Sequence, residues 1–287
     1  MPTLINLRRR IRSVRNSQQI TQAMKTVSMA KFKKAQRNVL ESRPYWHVFP
    51  EITARVVALA GVQDHPLVAE RKETKAEVVI VTSDKGLAGA FNSNLLAEAQ
   101  AFLREKSVTV EAGLVLIGKK AVNAFRKTRL RVDRAYSDRT DRMGRDETRE
   151  LAEFLMRLYA LGRTDAIYIV YNDFKSIVAP RIVIDRLLPV AVPPAADGAL
   201  PAVPDWEPEA AGLVASVLPL YIESRVLHAL GESQAAEQAA RMMAMDSATK
   251  NAGDLIADLV LVLNKIRQAT ITKELLEIMT AVDALAK

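Results

Sequence analysis

The last third of the chain has the composition of one long helix. No proline occurs between Pro219 and the final residue, Lys287, and only Gly231 and Gly253 interrupt a stretch rich in strong helix formers. At about 1.5 Å per residue, about sixty helical residues would reach about 90 Å, roughly twice the width of a globular domain of this size. Part of such a rod must project, which favours a mechanical or assembly role over an enclosed pocket.

Apolar residues recur at heptad spacing along this helix and along the first forty residues. The C-terminal stripe comprises Leu255, Leu259, Val262, Ile266, Ala269 and Leu276. The N-terminal stripe comprises Leu4, Leu7, Ile11, Val14, Met24 and Val27. Two long helices at opposite ends of a chain bury such stripes against each other or against a partner. Lys273 and Thr280 fall on the C-terminal stripe, so the seam is predicted to loosen towards that end.

The middle of the chain alternates between strand and helix patterns. Short β-branched runs predict strands at 78–81, 113–117, 130–136, 166–171 and 181–187. Amphipathic segments between the first four of these strands predict helices, and the alternation favours a three-layer α/β fold with parallel pairs.

Prolines predict where this α/β segment begins and ends. The N-terminal helix is expected to run from Leu4 to the residue before Pro44, with a second helix at 48–59. Six of the twelve prolines lie between Pro189 and Pro208. The predicted organisation is therefore two N-terminal helices in 1–60, an inserted α/β domain in 75–190, a connection in 191–210 and the C-terminal helix in 211–287.

Positive charge is concentrated at the N-terminus. Residues 1–45 contain eleven Lys or Arg and one acid, which gives them a net charge of +10, whereas the remainder carries −2. This asymmetry favours an acidic partner, and nucleic acid, anionic lipid or an acidic protein surface would all fit. A solvated basic helix face is the simpler alternative.

Composition excludes several classes of site and offers no sign of others. The chain has no cysteine, which excludes disulfides, thiolate metal sites and cysteine nucleophiles. Its three histidines, His47, His65 and His228, are far apart in sequence, so neither a metal site nor another cofactor is predicted. No run of about 20 apolar residues predicts a membrane span, and the basic N-terminus does not resemble a signal peptide.

The loop at 82–89 follows a predicted strand and precedes a helix, where phosphates often bind. It lacks both the G-x-G-x-x-G and the G-x-x-x-x-G-K-[ST] spacing, so its glycines more simply serve a tight turn. No acid–base or nucleophile–base constellation is identifiable. A dinucleotide-dependent enzyme therefore stays a weaker alternative. A nucleic-acid-binding helix is also a weaker alternative, because aromatic residues for base stacking are few near the N-terminus.

Four segments carry a resemblance to a known family. They are ITQAMKTVSMAKFKKAQ, TSDKGLAGAFN, AARMMAMDSATKNAGDLI and LNKIRQATITKELLEI. In this order and spacing the chain resembles, over essentially its whole length, the gamma subunit of the F-type ATP synthase. The glycine loop departs mildly, with Ala88 and Ala90 where relatives often carry cysteine or glycine.

The resemblance implies a rotor. The two terminal helices would form an antiparallel coiled coil inside a ring of three alpha and three beta subunits, with a Rossmann-like α/β domain below, near the epsilon subunit and the membrane ring of c subunits. The chain would transmit torque between the c ring and the catalytic ring, coupling proton flow to ATP synthesis without catalysing anything itself. It would be peripheral to the membrane, on the cytoplasmic face of the inner membrane in a bacterium, and would not bind nucleic acid.

The resemblance also implies contact residues. Expected contacts with the catalytic ring are Met24, Lys25, Arg241, Arg267, Gln268, Thr272 and Glu277. Expected contacts with the c ring are Trp206 and Glu207. No catalytic or metal-binding residue is implied.

Overall fold

The structure, a computed structural model, describes residues 4–60, 65–138, 140, 143–176, 181–191 and 210–285. Two helices much longer than the others bound a series of alternating strands and helices. In chain order the elements are α1 (Leu4–Ala60), β1 (Lys75–Val81), α2 (Phe91–Lys106), β2 (Glu111–Ile117), α3 (Lys119–Phe125), β3 (Arg131–Tyr136), α4 (Arg145–Ala160), β4 (Ala166–Asp173), β5 (Arg181–Leu188) and α5 (Ala210–Leu285). This order confirms the predicted α/β segment between two terminal helices.

Helix α1 passes through two prolines without a break. The sequence predicts that the helix ends before Pro44, but α1 continues through Pro44 and Pro50 to Ala60, so that prediction was wrong. Each proline costs about 3 kcal/mol in a helix interior, because it removes a backbone hydrogen bond and clashes with the preceding turn. Packing on both sides of the prolines offsets this cost, since Val39 is 3% and Val57 2% exposed.

The five strands form one sheet in the order β3-β2-β1-β4-β5. The first four are parallel, and β5 is antiparallel to β4 at one edge. Val79 of β1 lies opposite Val115 of β2 and Ile169 of β4. Parallel neighbours need a crossover connection, which α2 provides between β1 and β2 and α3 between β2 and β3.

Both faces of the sheet are buried, which explains why its inner strands are almost continuously apolar. One face packs with α4 and with parts of α1 and α5 around Val79, Val115, Leu151, Leu155 and Ile222. The opposite face packs with α2 and α3 around Val78, Ile80, Leu95, Leu114 and Phe125. This arrangement is the three-layer fold predicted from the strand–helix alternation.

One carboxylate lies inside this apolar sheet. Glu77 of β1 is completely buried, and Arg131 of β3 donates from Nη2 to Glu77 Oε2 at 3.4 Å. The two side chains meet across Gly113 of β2, where an added Cβ would lie 2.3 Å from the same oxygen. Burial, together with the neighbouring Asp133, raises the pKa of Glu77 to about 8, although Arg131 opposes the shift. Glu77 therefore keeps its proton in the folded protein at neutral pH.

We expect the folded state to lose stability as the pH rises from about 5 to about 8. Over this range the unfolded chain has lost the Glu77 proton that the folded chain retains, so rising pH favours unfolding. The unfolding free energy should fall by about 3 kcal/mol more in the unsubstituted chain than in Glu77→Gln. Urea titrations at three pH values measure the difference, with Glu105→Gln, the same substitution at an exposed site, as the control. Parallel pH curves for the chain and Glu77→Gln would contradict the assignment.

The chain divides into two compact units, each containing part of α1 and part of α5. Residues 4–28 and 241–285 form the first, called here the helix pair. The described residues between 29 and 240 form the second, called here the sheet unit. The domain boundaries predicted at 60, 75, 190 and 211 stay predictions.

Within the helix pair, the two helices run antiparallel. Leu7 and Ile11 of α1 bury against Leu259 of α5, whereas the later residue Lys25 contacts the earlier residue Asp246. Residues at spacings of three and four form the seam on each helix, which is the coiled-coil pattern. The partly buried apolar members of this seam are Val14, Ile256, Val260, Leu263 and Ile266.

Four of the six residues of the predicted C-terminal stripe face away from this seam. Leu259 and Ile266 lie in it as predicted, but Leu255 is 39% and Val262 43% exposed. Exposed as well are Val27, Ala269 and Leu276. The observed seam uses the following residues, Ile256 and Leu263, instead. A stripe through Leu255 and Val262 and a stripe through Ile256 and Leu263 are nearly equivalent in sequence, because each residue of one stripe is adjacent to an apolar residue of the other. Only the position of the partner helix distinguishes them. From 271 to 282 every residue is exposed, as expected from the loosening seam.

Candidate partner-binding surface on the helix pair

Polar side chains occupy the middle of the helix-pair seam. Thr21 and Thr249 join their hydroxyl oxygens at 2.8 Å, and Gln18 Nε2 donates to the Thr249 carbonyl at 3.4 Å. Lys25 Nζ donates to Asp246 Oδ1 at 2.6 Å. The seam of α1 thus continues from Leu7 and Ile11 through Gln18, Thr21 and Lys25 at unbroken heptad spacing. Each polar group in this layer meets a partner across the seam, which keeps its burial cost low.

Lys25, expected to contact a partner, therefore has a partner within the chain. Its ammonium is half-buried and paired with Asp246, which also pairs with Lys250 at 3.0 Å. Hydrogen bonds from Lys25 and Lys250 lower the pKa of Asp246. Met24 beside Lys25 is also half-buried. Part of each side chain is accessible, so an external contact at Lys25 would compete with the internal ion pair.

The other expected contacts fall into two groups by exposure. Arg241, the first residue of α5 in the helix pair, is only 6% exposed. Arg267, Gln268, Thr272 and Glu277 are all exposed. Thr272 donates its hydroxyl to the Gln268 carbonyl at 3.0 Å, one helical turn away. Glu277 lies 3.5 Å from Lys273 in an exposed pair, which contributes little to stability.

Two expected contacts with the c ring, Trp206 and Glu207, lie outside the described residues.

Positive charge covers much of the accessible surface of α1. Five arginines in the helix pair are exposed: Arg8, Arg9, Arg10, Arg12 and Arg15. Guanidinium groups bind carboxylates with two parallel hydrogen bonds, so this surface is suited to an acidic protein partner.

The loop after β1 is organised by an internal carboxylate. Asp84 accepts backbone hydrogen bonds from Lys119, Asp138 and Thr140, each at 2.9 Å, and a hydroxyl bond from Thr140. Burial opposes ionisation of Asp84, but these hydrogen bonds outweigh it and lower its pKa. Gly89 has φ +56°, as expected if the glycine serves a tight turn.

This arrangement weakens the case for a phosphate at the start of α3. A phosphate there would bind the backbone N–H groups that open the helix. Those groups already have partners, since Lys119 N–H donates to Asp84 and Ala121 N–H donates to the Thr82 hydroxyl. The loop at 82–89 itself leads into α2, whose start these hydrogen bonds do not occupy.

Helix α5 meets the length and composition criteria for a membrane span, contrary to the expectation from sequence. Between Gly212 and Val282 it contains an 18-residue window with a mean hydropathy of 1.3. A core helix of a soluble protein passes the same test, so the criterion is weak evidence. Part of α5 is such a core helix, because Val214, Leu218 and Ile222 are completely buried in the sheet unit.

Comparison with known proteins accounts for nearly the whole chain. The sequence profile of the family described as ATP synthase matches residues 3–285. The ATP synthase gamma chain of Pelotomaculum thermopropionicum is 41% identical over 286 residues, which cover 99% of this chain and all of that protein. The gamma chain of Anaeromyxobacter sp. strain K is 42% identical over 289 residues, with 99% and 100% coverage.

Solved structures of mitochondrial ATP synthases share the fold. A chain from the OSCP/F1/c-ring structure of the Euglena gracilis enzyme aligns with a TM-score of 0.69 at 20% identity. The alignment covers 98% of this chain and 94% of the Euglena chain. A chain from the rotor of the same enzyme aligns with a TM-score of 0.65 at 20% identity, covering 93% and 98%. Long terminal helices around an α/β sheet, together with sequence identity over the full length, lead to one conclusion. The chain belongs to the family of ATP synthase gamma chains.

Proposed function

We propose that this chain is the central rotor shaft of a proton-translocating F-type ATP synthase. It transmits torque between the membrane c ring and a catalytic ring of three alpha and three beta subunits, and it catalyses nothing itself. The observation that carries the proposal is the 41% sequence identity with a gamma chain over nearly the whole length. It is combined with an antiparallel helix pair that ends in a long exposed stretch of α5.

The helix pair is physically suited to transmit torque. Its apolar seam at Leu7, Ile11 and Leu259 resists separation of the helices, as a torque-bearing element requires. A rotating contact must attract its partner without locking onto it. Exposed charges contribute only about 0–1 kcal/mol each. Contacts between the arginines of α1 and an acidic loop of the beta subunits therefore suit a rotating shaft better than a deep apolar anchor would.

The proposal assigns a role to each predicted segment. Residues 1–60 and 211–287 supply the shaft, and Met24, Lys25, Arg241, Arg267, Gln268, Thr272 and Glu277 contact the catalytic ring. Residues 75–190 form the inserted domain near the epsilon subunit, and Trp206 and Glu207 in the connection at 191–210 contact the c ring. The chain is then a peripheral protein on the cytoplasmic face of a bacterial inner membrane, held there by its partners.

Native mass spectrometry of the chain mixed with alpha and beta subunits tests the proposal. We expect a single species with one copy of this chain and three of each partner, and ATP-driven rotation of that species. A chain that stays free of the hexamer would overturn the rotor assignment. Binding to nucleic acid with an affinity that falls steeply with salt would then favour the alternative function of the basic N-terminal helix.

The paired substitution Arg267→Ala with Gln268→Ala should weaken coupling without unfolding the chain. Both side chains are exposed, so their loss leaves the seam intact. If together they contribute about 1 kcal/mol to the contact with the catalytic ring, proton-driven ATP synthesis by the assembled enzyme should fall about fivefold. The pair Asp258→Ala with Lys265→Ala, which are exposed on the same helix, is the matched control. Unchanged synthesis in the first pair would contradict the assigned contact.

A further inference from the structure

A histidine and two carboxylates converge within the sheet unit. Asp173 ends β4, while His228 and Glu232 lie one turn apart on α5. One potential ligand atom from each of the three lies within 4.8 Å of the other two. The sequence predicts no metal site because the three histidines are far apart, but the fold surrounds one histidine with carboxylates instead.

Glu232 is a buried carboxylate whose ion-pair contacts are long. It is only 1% exposed, and its Oε2 accepts a hydrogen bond from the Phe174 N–H at 3.0 Å. Its Oε1 lies 3.9 Å from His228 Nδ1 and 4.0 Å from Arg43 Nη2, both beyond hydrogen-bonding distance. A buried carboxylate is costly without a close counter-charge, which a metal ion would supply.

The surroundings of His228 suit a metal ligand. The Trp46 ring lies 3.7 Å from the imidazole, centroid to centroid, and the Tyr171 ring approaches it edge-on at 6.3 Å. These rings restrict the orientation of the imidazole, as the supporting shell of a metal site must. His228 also lines a cavity of about 630 Å³ that is bordered by Trp46, Thr82 and Ile117. One of the three ligands therefore borders a space large enough to admit an ion.

We propose that Asp173, His228 and Glu232 bind a divalent transition-metal ion, with Zn²⁺ as the best-matched species. One imidazole and two carboxylates form a ligand set that Zn²⁺ accepts, with water completing the coordination. Ligand atoms on a tetrahedral zinc ion lie about 3.4 Å apart, so a pair at the 4.8 Å limit must approach by about 1.4 Å on binding. Mg²⁺ fits less well, because it prefers oxygen ligands and retains several waters. The bound ion links the end of β4 to α5 and stabilises their packing.

Isothermal titration of the full chain with zinc, after removal of metals by a chelator, measures this site. We expect one site with a Kd below about 10 μM. The isosteric change Glu232→Gln, and likewise His228→Gln, should weaken binding at least about tenfold. His65→Gln is the matched control: it removes a histidine outside the cluster and should leave the Kd unchanged. Equal zinc affinity in all three variants would overturn the proposal.

Cobalt absorption tests the site without any substitution, in case a variant fails to fold. Co²⁺ bound by nitrogen and oxygen ligands in a low-coordinate site absorbs strongly in the visible range, and equimolar zinc should abolish that absorption. Zinc should also raise the thermal midpoint of the unsubstituted chain in proportion to the logarithm of its concentration. The absence of saturable cobalt or zinc binding up to about 100 μM would refute the site.

Discussion

Leu259→Asp should separate the helix pair while leaving the sheet unit folded. Leu259 is 8% exposed and packs against Leu7 and Ile11 at the centre of the apolar seam. The substitution removes about 2 kcal/mol of apolar burial and places a carboxylate in an apolar seam. We expect a loss of about 3–5 kcal/mol from the stability of the helix pair. Hydrogen exchange, read separately for 4–28 and for the sheet unit, measures it.

Leu261→Asp is the matched control for this effect. Leu261 lies two residues further along α5 and is 68% exposed, so the same change of side chain there leaves the seam intact. Its exchange rates should equal those of the unsubstituted chain. Equal protection of residues 4–28 in the two variants would contradict the assigned seam. Such a result would also remove the physical basis for a torque-bearing shaft.

Gly118→Ala should destabilise the sheet unit by about 3–5 kcal/mol. Gly118 follows β2 with φ +94°, a conformation that residues with a side chain rarely adopt. An added Cβ would lie 2.3 Å from the Thr82 carbonyl oxygen, which is backbone and cannot rotate away. Relief of that overlap would break two hydrogen bonds at the start of α3, from the Lys119 N–H to Asp84 and from the Ala121 N–H to the Thr82 hydroxyl. Thermal unfolding followed by far-UV circular dichroism measures the loss.

Gly86→Ala provides the comparison in the same group of loops. An added Cβ at Gly86 would have only the flexible end of Lys120 nearby, at 3.6 Å and beyond. We expect a change within about 0.5 kcal/mol, as for most surface substitutions. A similar loss of stability in both variants would mean that close backbone approach at Gly118 is not what requires glycine there.

Local periodicity carried most of the fold prediction. Apolar runs such as 78–81 and 113–117 predict strands because both faces of the inner strands are buried. The proline-free stretch after Pro219 predicts a single helix, and α5 extends to Leu285. The predicted break at Pro44 was wrong because helix propensity is a local quantity. The packing of Val39 and Val57, which offsets the cost of the proline, depends on residues distant in sequence.

The candidate surface was only partly predictable. Arg267 and Gln268 are exposed, as a partner contact requires, but the burial of Arg241 was not expected. The pairing of Lys25 with Asp246 joins residues 221 positions apart. Its signal was nevertheless present, since Lys25 continues the three–four spacing of Leu7 and Ile11 along α1. Extending that spacing through polar residues would have placed Lys25 at the seam.

The sequence by itself determined the elements of this protein: two long terminal helices, an inserted α/β sheet and an excess of positive charge on α1. These depend on the type and spacing of neighbouring residues. Tertiary structure decided which of two adjacent apolar residues, Val262 or Leu263, enters the seam. It also decided that Glu77 is buried beside Arg131, and that Asp173 and Glu232 surround His228. These outcomes depend on distances between residues far apart in the chain, which local patterns do not encode.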